Sequence, residues 1–395
     1  MSGARKDAMT PRERIHAAAK GLATDRVPVF YWIEAHTGCK LMAEYKPSSH
    51  WNRNLLAKIF WGRFKSGGYM QAGEVWRFLP LLWDIHGFNF ANAYGIDMGA
   101  DMVLASYANQ SYFKWKYKNG HIDVVDIYGV GRRIGGGIYP DMIDPPIKKL
   151  ADLKNCPLPD PSRESLYDTF RQYRKQYPHH SIAAEAWGPH DWTSNQMIGL
   201  ERYMTWLVEY PDELKAFMDR FIEHEIEIAR RSVKAGADVV FIYDDYGYNN
   251  RPLISMKMWK DFMYPRLKKQ VDAAHEDGAL VCLHSCGYQM PFLEHYVEMG
   301  IDMLQSFQPA AGNDFKLAQA KYGDKLTFIT GIDIQRGEAM TPAEFRDDIL
   351  DFYRTGKAKR RHILGTTHEL QYTMPDDNIK ILFETVKDIQ AGKYS

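Results

Sequence analysis

Cysteine is scarce, neither sign of charge predominates, and long apolar runs are missing from this sequence of 395 residues. The four cysteines, at positions 39, 156, 282 and 286, are too sparse for a disulfide framework. Lys+Arg and Asp+Glu both total 50, so the chain lacks the net positive charge that attracts nucleic acids and anionic membranes. No apolar stretch approaches the ~18 residues of a membrane span, and the N-terminus has no apolar signal core. We therefore expect a cytoplasmic protein with reduced thiols that binds neither nucleic acid nor membrane.

The sequence does contain the material for a large core, with 45% hydrophobic and 25% charged residues. A βα barrel with added segments commonly reaches this length as one unit. We predict a single domain over residues 1–395, in which the aromatic-rich and less regular residues 35–150 form an N-terminal elaboration. Within that elaboration, residues 111–140 predict β-hairpins, with a turn at Asn119-Gly120.

Short apolar runs alternate with helical patterns along most of the chain. This alternation is typical of parallel strands that are covered on both faces. Eight strands favour an (α/β)8 TIM barrel, with a doubly wound open sheet as the alternative. Helices are predicted at 10–22, 197–208, 211–234, 256–276, 341–355 and 376–390. The predicted strands are 27–32, 101–106, 181–186, 238–244, 279–284, 302–307, 326–331 and 362–366.

The run LVCLHSCG, at 280–287, ends a predicted strand with an imidazole and a thiol two residues apart. Alternate residues of a strand share a face, so His284 and Cys286 can point the same way. That arrangement is either half of a metal site or only the packed end of a strand. A barrel enzyme carries its chemistry at the C-terminal ends of its strands, where His368 also lies. Two histidines and a thiol are a suitable ligand set for zinc with an open fourth position.

Carboxylates follow two neighbouring strands at the same predicted rim. Glu185 ends one of these strands, and Asp244-Asp245 ends the next. They are candidates for a fourth ligand, a partner of a ligand or a proton relay. Two structural interpretations stay open: the aspartates as buried acids bonded to barrel backbone, and Glu185 paired with an arginine such as Arg251.

The sequence resembles the uroporphyrinogen decarboxylase superfamily in three stretches. They are TPRERIHAAAKGLATDRVPV at 10–29, the run from DDYGYNN to CLHSCG at 244–287, and HILGTTHELQYTMPDDNIKILFETV at 362–386. Within the superfamily the chain is most similar to zinc-dependent methyltransferases that work with corrinoid proteins. The resemblance implies an (α/β)8 barrel, which agrees with the strand count.

The resemblance also implies a set of zinc ligands. In these methyltransferases a His-x-Cys pair and a later cysteine hold zinc, and His284 and Cys286 match the pair. His368 stands where the later cysteine is expected, and imidazole is an equally good ligand. The decarboxylases carry arginines shortly after the first strand, whereas this chain has YWIE at 31–34. Without those guanidinium groups a tetrapyrrole with many carboxylates is a poor substrate.

We therefore hypothesise a zinc-dependent methyltransferase acting between a small methylated substrate and a corrinoid protein. O-demethylation of a methoxylated aromatic is one such reaction. The corrinoid, a cobalamin-type cofactor, would be carried by a separate partner, because the sequence has no Asp-x-His-x-x-Gly motif. The alternatives are a metal-free decarboxylase or lyase and a non-catalytic corrinoid-binding barrel. Whether the chain forms a homodimer stays open.

This hypothesis assigns a role to each candidate residue. Zinc is assigned to His284, Cys286 and His368. The catalytic candidates are Glu185, Asp244, Asp245 and Tyr246, and the substrate-binding candidates are Tyr31, Trp32, Trp187 and His190.

Overall fold

The structure is a computed structural model that describes residues 8–45, 55, 57–59, 61–62, 90–107, 114–118, 121–134 and 141–394. Its strands are β1 Val29–Phe30, β2 Met102–Ala105, β3 Lys114–Lys118, β4 His121–Val125, β5 Gly131–Ile134, β6 Asp141–Asp144, β7 Ser181–Trp187, β8 Val239–Tyr243, β9 Leu280–His284, β10 Met303–Gln305, β11 Thr327–Ile332 and β12 His362–Thr366.

Eight parallel strands form a nearly closed barrel, in the spatial order β1-β12-β11-β10-β9-β8-β7-β2. Each of the eight predicted strands overlaps one of them, so the TIM barrel is confirmed and the open sheet is excluded. Alternate side chains fill the barrel interior, for example Phe30, Phe241 and Cys282. The other side chains of the strands pack against the surrounding helices.

The barrel closes at a short seam between β1 and β2. The backbone N–H of Asp101 donates to the carbonyl of Val29 at 2.8 Å, and the Asp101 carboxylate accepts the Val29 N–H at 2.8 Å. The same buried carboxylate bonds to Arg26 at 2.8 and 2.9 Å and to the fully buried Arg14. On its other side, β1 pairs with β12 through only two residues. The seam therefore depends on one buried carboxylate as much as on ladder hydrogen bonds.

Helices flank the barrel, and most of the predicted ones are present. The predicted helix 256–276 is divided at Met263, because Pro265 has no N–H with which to continue the first segment. The predicted helix 197–208 is divided at Gly199, whose φ of 91° interrupts the helical backbone. The helices are Pro11–Ala19, Ala35–Glu44, Phe90–Asp97, Leu150–Asn155, Asp168–Gln176, Leu200–Glu209, Pro211–Lys234, Met256–Phe262, Tyr264–Glu276, Leu293–Met299, Phe315–Tyr322, Ile334–Ala339, Pro342–Lys357 and Asp376–Gln390, with a π-helix at Trp192–Ile198.

A second sheet of four antiparallel strands, in the order β3-β4-β5-β6, lies within the predicted elaboration. The predicted hairpins are therefore confirmed, while the Asn119-Gly120 turn itself lies outside the described residues. Most of residues 46–89 also lie outside them, and a single domain over 1–395 stays a prediction. In the described ranges no helix is long and apolar enough to cross a membrane.

We expect Asp101→Ala to destabilise the barrel strongly, because it leaves Arg14 and Arg26 without their shared partner. Loss of one partner of a buried ion pair typically lowers the free energy of unfolding by about 3 kcal/mol or more. Urea unfolding followed by circular dichroism measures the change. Asp324→Ala removes a surface pair with Lys359 and should cost less than ~1 kcal/mol. Equal effects of the two substitutions would contradict the importance of the seam.

Candidate metal centre

Three ligand-type side chains meet at the C-terminal ends of β9 and β12. Cys286 Sγ lies 3.4 Å from His284 Nε2, and His368 follows β12 directly. One ligand atom from each residue lies within 4.8 Å of the other two. The structure thus brings together the three residues predicted as zinc ligands, which we call the metal group.

Gln305 fixes the orientation of the His284 ring. The side-chain N–H of Gln305 donates to the carbonyl of Thr366 at 2.8 Å, so its amide oxygen faces the other way. That oxygen accepts the Nδ1–H of His284. The Nε2 atom of His284 is therefore left unprotonated, and it is the nitrogen that faces Cys286. A side chain that fixes the ring of a ligating histidine in this way is a regular feature of metal sites.

The backbone around Cys286 holds its thiol in place. The Cys286 N–H donates to Asp245 Oδ1 at 2.7 Å, and Ser306 Oγ lies 3.2 Å from the sulfur. Ser306 has a φ of 77°, a left-handed conformation that is unusual for a residue with a side chain. Gly287 also has a positive φ, and a Cβ there would lie 2.4 Å from the backbone of Gly247. The glycine after the thiol is therefore needed for the close approach of two loops.

The protonation states of the metal group suit a divalent cation. Burial lowers the pKa of both His284 and His368 to about 4, so each imidazole is neutral at pH 7 and has a free lone pair. Burial, followed by the charge of Asp245, raises the pKa of Cys286 well above its usual value. A bound cation supplies the positive charge that stabilises the thiolate. With bond lengths of about 2.0–2.3 Å, tetrahedral zinc needs ligand atoms about 3.3–3.6 Å apart, so small shifts complete the fit.

Carboxylates that keep some solvent exposure lie beside the metal group. Asp245 Oδ1 is 3.6 Å from His284 Nε2, and burial raises the Asp245 pKa to about 6. Burial and the charge of Asp245 raise the pKa of Asp191 to about 7. Glu185 accepts a hydrogen bond from Tyr243 at 3.0 Å, so its partner is this tyrosine rather than an arginine, and burial raises its pKa. Sequence reasoning missed Asp191, because it lies in a loop four residues beyond the end of β7.

Four aromatic side chains, Trp32, Tyr243, Trp187 and Trp192, form a contiguous aromatic wall. The ring of Trp32 stacks on His368 at 5.1 Å and meets His284 edge-on at 4.9 Å. Tyr243 joins Trp32 to Trp187, with ring centroids 5.4 and 5.3 Å away. Trp187 in turn stacks on Trp192 at 4.0 Å. The wall therefore runs from the metal group across the mouth of the barrel.

Four of the residues predicted to bind substrate or act in catalysis are buried on the outer side of the strands, away from the aromatic wall: Tyr31, His190, Asp244 and Tyr246. Their predicted roles stay predictions. Asp244 accepts the backbone N–H groups of His190 and Asp191 at 2.8 and 2.7 Å and bonds to the Tyr246 hydroxyl. This arrangement matches the alternative of a buried acid bonded to backbone. His190 bonds through Nδ1 to the buried Tyr203. The ring of Tyr31 packs on Phe383 among the helices.

The alternation of side chains along each strand distinguishes the residues that face the barrel interior from those that face the helices. With His284 and Cys286 facing inward, every second residue of a strand faces the same way. Trp32, Glu185, Trp187, Tyr243 and Asp245 are in phase with the barrel interior, while Tyr31, Asp244 and Tyr246 are one residue out of phase.

Comparison with known proteins agrees with the barrel fold. Residues 124–389 match the family model "Uroporphyrinogen decarboxylase (URO-D)". A uroporphyrinogen decarboxylase of Vibrio campbellii is 24% identical over 286 residues, covering 68% of this chain and 76% of that protein. One of Prochlorococcus marinus is 27% identical over 187 residues, covering 46% and 49%. A methyltransferase from Methanosarcina mazei has the same fold, with a TM-score of 0.66 at 17% identity over 96% of this chain and 99% of that one.

The protein is thus a TIM barrel with a candidate metal centre at its C-terminal rim. Since the family model spans well over half of its length, the chain belongs to the uroporphyrinogen decarboxylase (URO-D) family.

We expect Gln305→Ala to weaken metal binding, because the His284 ring loses the acceptor that orients it. Loss of such a partner typically lowers metal affinity about 10–100-fold. Titration of the apoprotein with Co²⁺, followed by visible absorption, measures the affinity. Gln319→Ala, at a buried glutamine bonded to the Gly356 carbonyl, is the control and should leave the affinity unchanged. An unchanged affinity in Gln305→Ala would contradict the orienting role.

We also expect zinc binding to release about one proton per ion near pH 7. The proton comes from the Cys286 thiol, whose pKa is raised, whereas the two histidines are already neutral. Affinity should therefore rise about tenfold per pH unit while the thiol stays protonated. Calorimetric titration in buffers of different ionisation enthalpy counts the protons. A release of about three protons would show that the histidines are charged in the apoprotein.

Proposed function

We propose that the protein is a zinc-dependent methyltransferase that moves a methyl group between a small methylated substrate and a corrinoid protein. The observation that carries this proposal is the metal group, whose neutral imidazoles and single thiol converge at the strand ends. The methyltransferase of Methanosarcina mazei shares the fold. A metal-free decarboxylase has no need of a thiol beside two neutral histidines.

His284, Cys286 and His368 would hold the zinc ion and leave its fourth position open to the substrate. When bound, zinc acts as a Lewis acid that draws charge from the heteroatom losing its methyl group. This site would give zinc one thiolate ligand, whereas the related methyltransferases give it two. A zinc ion with fewer thiolate ligands is more electron-poor, which favours demethylation of a substrate over activation of a thiol. Gln305 and Ser306 keep His284 and Cys286 in the ligating geometry.

The aromatic wall would bind the substrate, and its flat rings suit a methoxylated aromatic compound. Ring stacking on Trp32 brings a substituent towards the neighbouring His368 and His284. The same flat surface suits the corrinoid, which must reach the methyl group from the solvent side. O-demethylation is therefore the form of the reaction that we favour.

The half-buried carboxylates would handle the proton that the departing oxygen needs. Asp191 lies close enough to the metal group for its charge to raise the Cys286 pKa, and it accepts a hydrogen bond from Asn195 at 2.5 Å. Its raised pKa allows it to hold a proton near neutral pH. We assign this role to Asp191 in place of the buried Asp244, with Glu185 as a second proton carrier beside Tyr243.

A decarboxylase without metal is the second candidate, because the family model and the curated relatives bear that name. The carboxyl groups at the mouth of the barrel argue against a decarboxylase of this kind. In the described part of the chain, no lysine or arginine bonds to Glu185, Asp191 or Asp245. A substrate with several carboxylates would therefore find no basic partner at these residues and would meet the negative charge of Asp245, whose pKa of about 6 leaves it mostly ionised at pH 7.

Cys286→Ala tests the proposal directly, since the variant lacks the only predicted sulfur ligand. We expect its zinc content to fall well below one ion per chain. Methyl transfer from methoxylated aromatics to cob(I)alamin, followed by absorbance, should fall at least ~100-fold. Cys156→Ala, at a buried cysteine beyond helix Leu150–Asn155, should keep both.

Each alternative predicts a different result in the same assay. Full zinc content and full activity in Cys286→Ala would refute the proposed ligand set. Release of CO2 from uroporphyrinogen that survives chelation would identify a decarboxylase. Binding of a corrinoid protein without turnover of any methyl donor would identify a non-catalytic barrel.

A further inference from the structure

Trp187, in the middle of the aromatic wall, is held by hydrogen bonds at its backbone. Its backbone N–H donates to Glu225 Oε2 at 3.0 Å, and its carbonyl accepts the Gln270 side-chain N–H at 2.9 Å. Its side chain also lies close enough to the Tyr107 hydroxyl to oppose the rise that burial causes in the Tyr107 pKa. Glu225 and Gln270 come from two different helices that pack outside the barrel. These side-chain hydrogen bonds hold Trp187 in addition to the hydrogen bonds between the barrel strands.

Glu225 is the centre of this arrangement, and it is fully buried. Besides Trp187, it accepts hydrogen bonds from the Tyr128 hydroxyl at 2.5 Å and from His224 Nδ1 at 3.0 Å. The Tyr128 hydroxyl also contacts that of Tyr107, so Glu225, which accepts the Trp187 N–H, and Tyr107, which lies beside the Trp187 side chain, belong to one network.

A histidine also contacts Glu225. Nδ1 of His224 lies 3.0 Å from Glu225 Oε1, and its Nε2 lies 2.8 Å from the carbonyl of Pro159. Among the described residues, no lysine or arginine bonds to Glu225. The buried carboxyl group of Glu225 is therefore held by the Trp187 N–H, the Tyr128 hydroxyl and His224.

The network also connects the aromatic wall to the four-stranded sheet. Tyr128 lies between β4 and β5, and its ring meets Trp192 edge-on at 5.4 Å. Arg132 of β5 places its guanidinium 5.0 Å from the Trp192 ring centroid while bonding to Asp126 at 2.5 Å. The sheet therefore supports the side of the wall that is farthest from the metal group.

We propose that Glu225 is a positioning residue for the substrate, because it fixes the position of Trp187 in the aromatic wall. Through Tyr128 and Glu225, the four-stranded sheet would also influence where the wall holds the substrate. A purely structural role explains the arrangement poorly. Burying a carboxyl group costs free energy unless it is hydrogen-bonded, so packing alone does not require Glu225 at this position. The proposal rests on the proposed function only in that the wall contacts the substrate.

The first experiment measures the position of Trp187 without substrate, metal or partner. The protein is labelled with 5-fluorotryptophan, and the ¹⁹F resonances of Trp187, Trp192 and Trp259 are assigned by single Trp→Phe substitutions. Glu225→Gln should shift or broaden the Trp187 and Trp192 resonances. The resonance of Trp259, buried elsewhere, should stay in place and report an intact fold.

Glu223→Gln is the matched control, on the same helix but at a surface pair with Lys269. It should move none of the three resonances. If Glu225→Gln does not fold, Tyr128→Phe removes the hydroxyl that contacts both Glu225 and Tyr107, keeps the Glu225 carboxyl group, and should still shift the Trp187 resonance. An unmoved Trp187 resonance in a folded Glu225→Gln or Tyr128→Phe variant would overturn the proposal.

The second experiment asks whether Glu225 acts through Trp187. With 2-methoxyphenol as methyl donor and cob(I)alamin as acceptor, Glu225→Gln should raise KM about tenfold, with kcat and zinc content nearly unchanged. Trp187→Phe should have a similar effect, and the double variant should be no worse than Trp187→Phe alone. Additive effects of the two substitutions would refute the coupling.

The two proposals fail in distinguishable ways. Loss of the zinc assignment in Cys286→Ala would leave the ¹⁹F result standing. An unmoved Trp187 resonance would overturn the role of Glu225 and leave the metal group intact.

Discussion

The hydrogen bond between Gln305 and His284 is the interaction on which the candidate centre depends. Gln305 is the last residue of β10, and its amide reaches His284 on β9 and Thr366 on β12. It therefore crosses β11 inside the barrel and joins both strands that carry the metal group. Without this bond the strand ends would supply the same ligands, but the ligating nitrogen of His284 would not be defined.

Much of the fold could be predicted from the sequence, because parallel barrel strands are apolar on both faces and alternate with helices. The metal group could be predicted for a related reason. His284 ends β9, Cys286 and His368 lie two residues beyond β9 and β12, and the barrel brings strand ends to one rim. The divided helix at Pro265 and the division at Gly199 show where single residues override an otherwise helical pattern.

The residues that support the candidate metal centre could not be predicted from the strand pattern. Gln305 is one polar residue within a short strand, and its importance depends on the register that pairs it with His284. Ser306 acts through a backbone conformation that its sequence does not signal. Asp191 and Glu225 reach the site through tertiary contacts from a loop and a helix. By contrast, the outward orientation of Tyr31 and Asp244 follows from the alternation of side chains along a strand, once one inward-facing residue is known.

The short seam between β1 and β2 has a consequence for the site above it. Trp32 lies two residues beyond β1, donates its N–H to Thr366 Oγ1 at 2.9 Å and stacks on His368. Val29, which forms the seam with Asp101, is only three residues from this tryptophan, and β1 pairs with β12 through only two residues. Local opening of the barrel at the seam would therefore displace Trp32, which belongs to the aromatic wall and also contacts the predicted ligand His368. The seam and the candidate metal centre are thus structurally connected, so local opening of the barrel at the seam and metal binding by the proposed ligands would be thermodynamically linked.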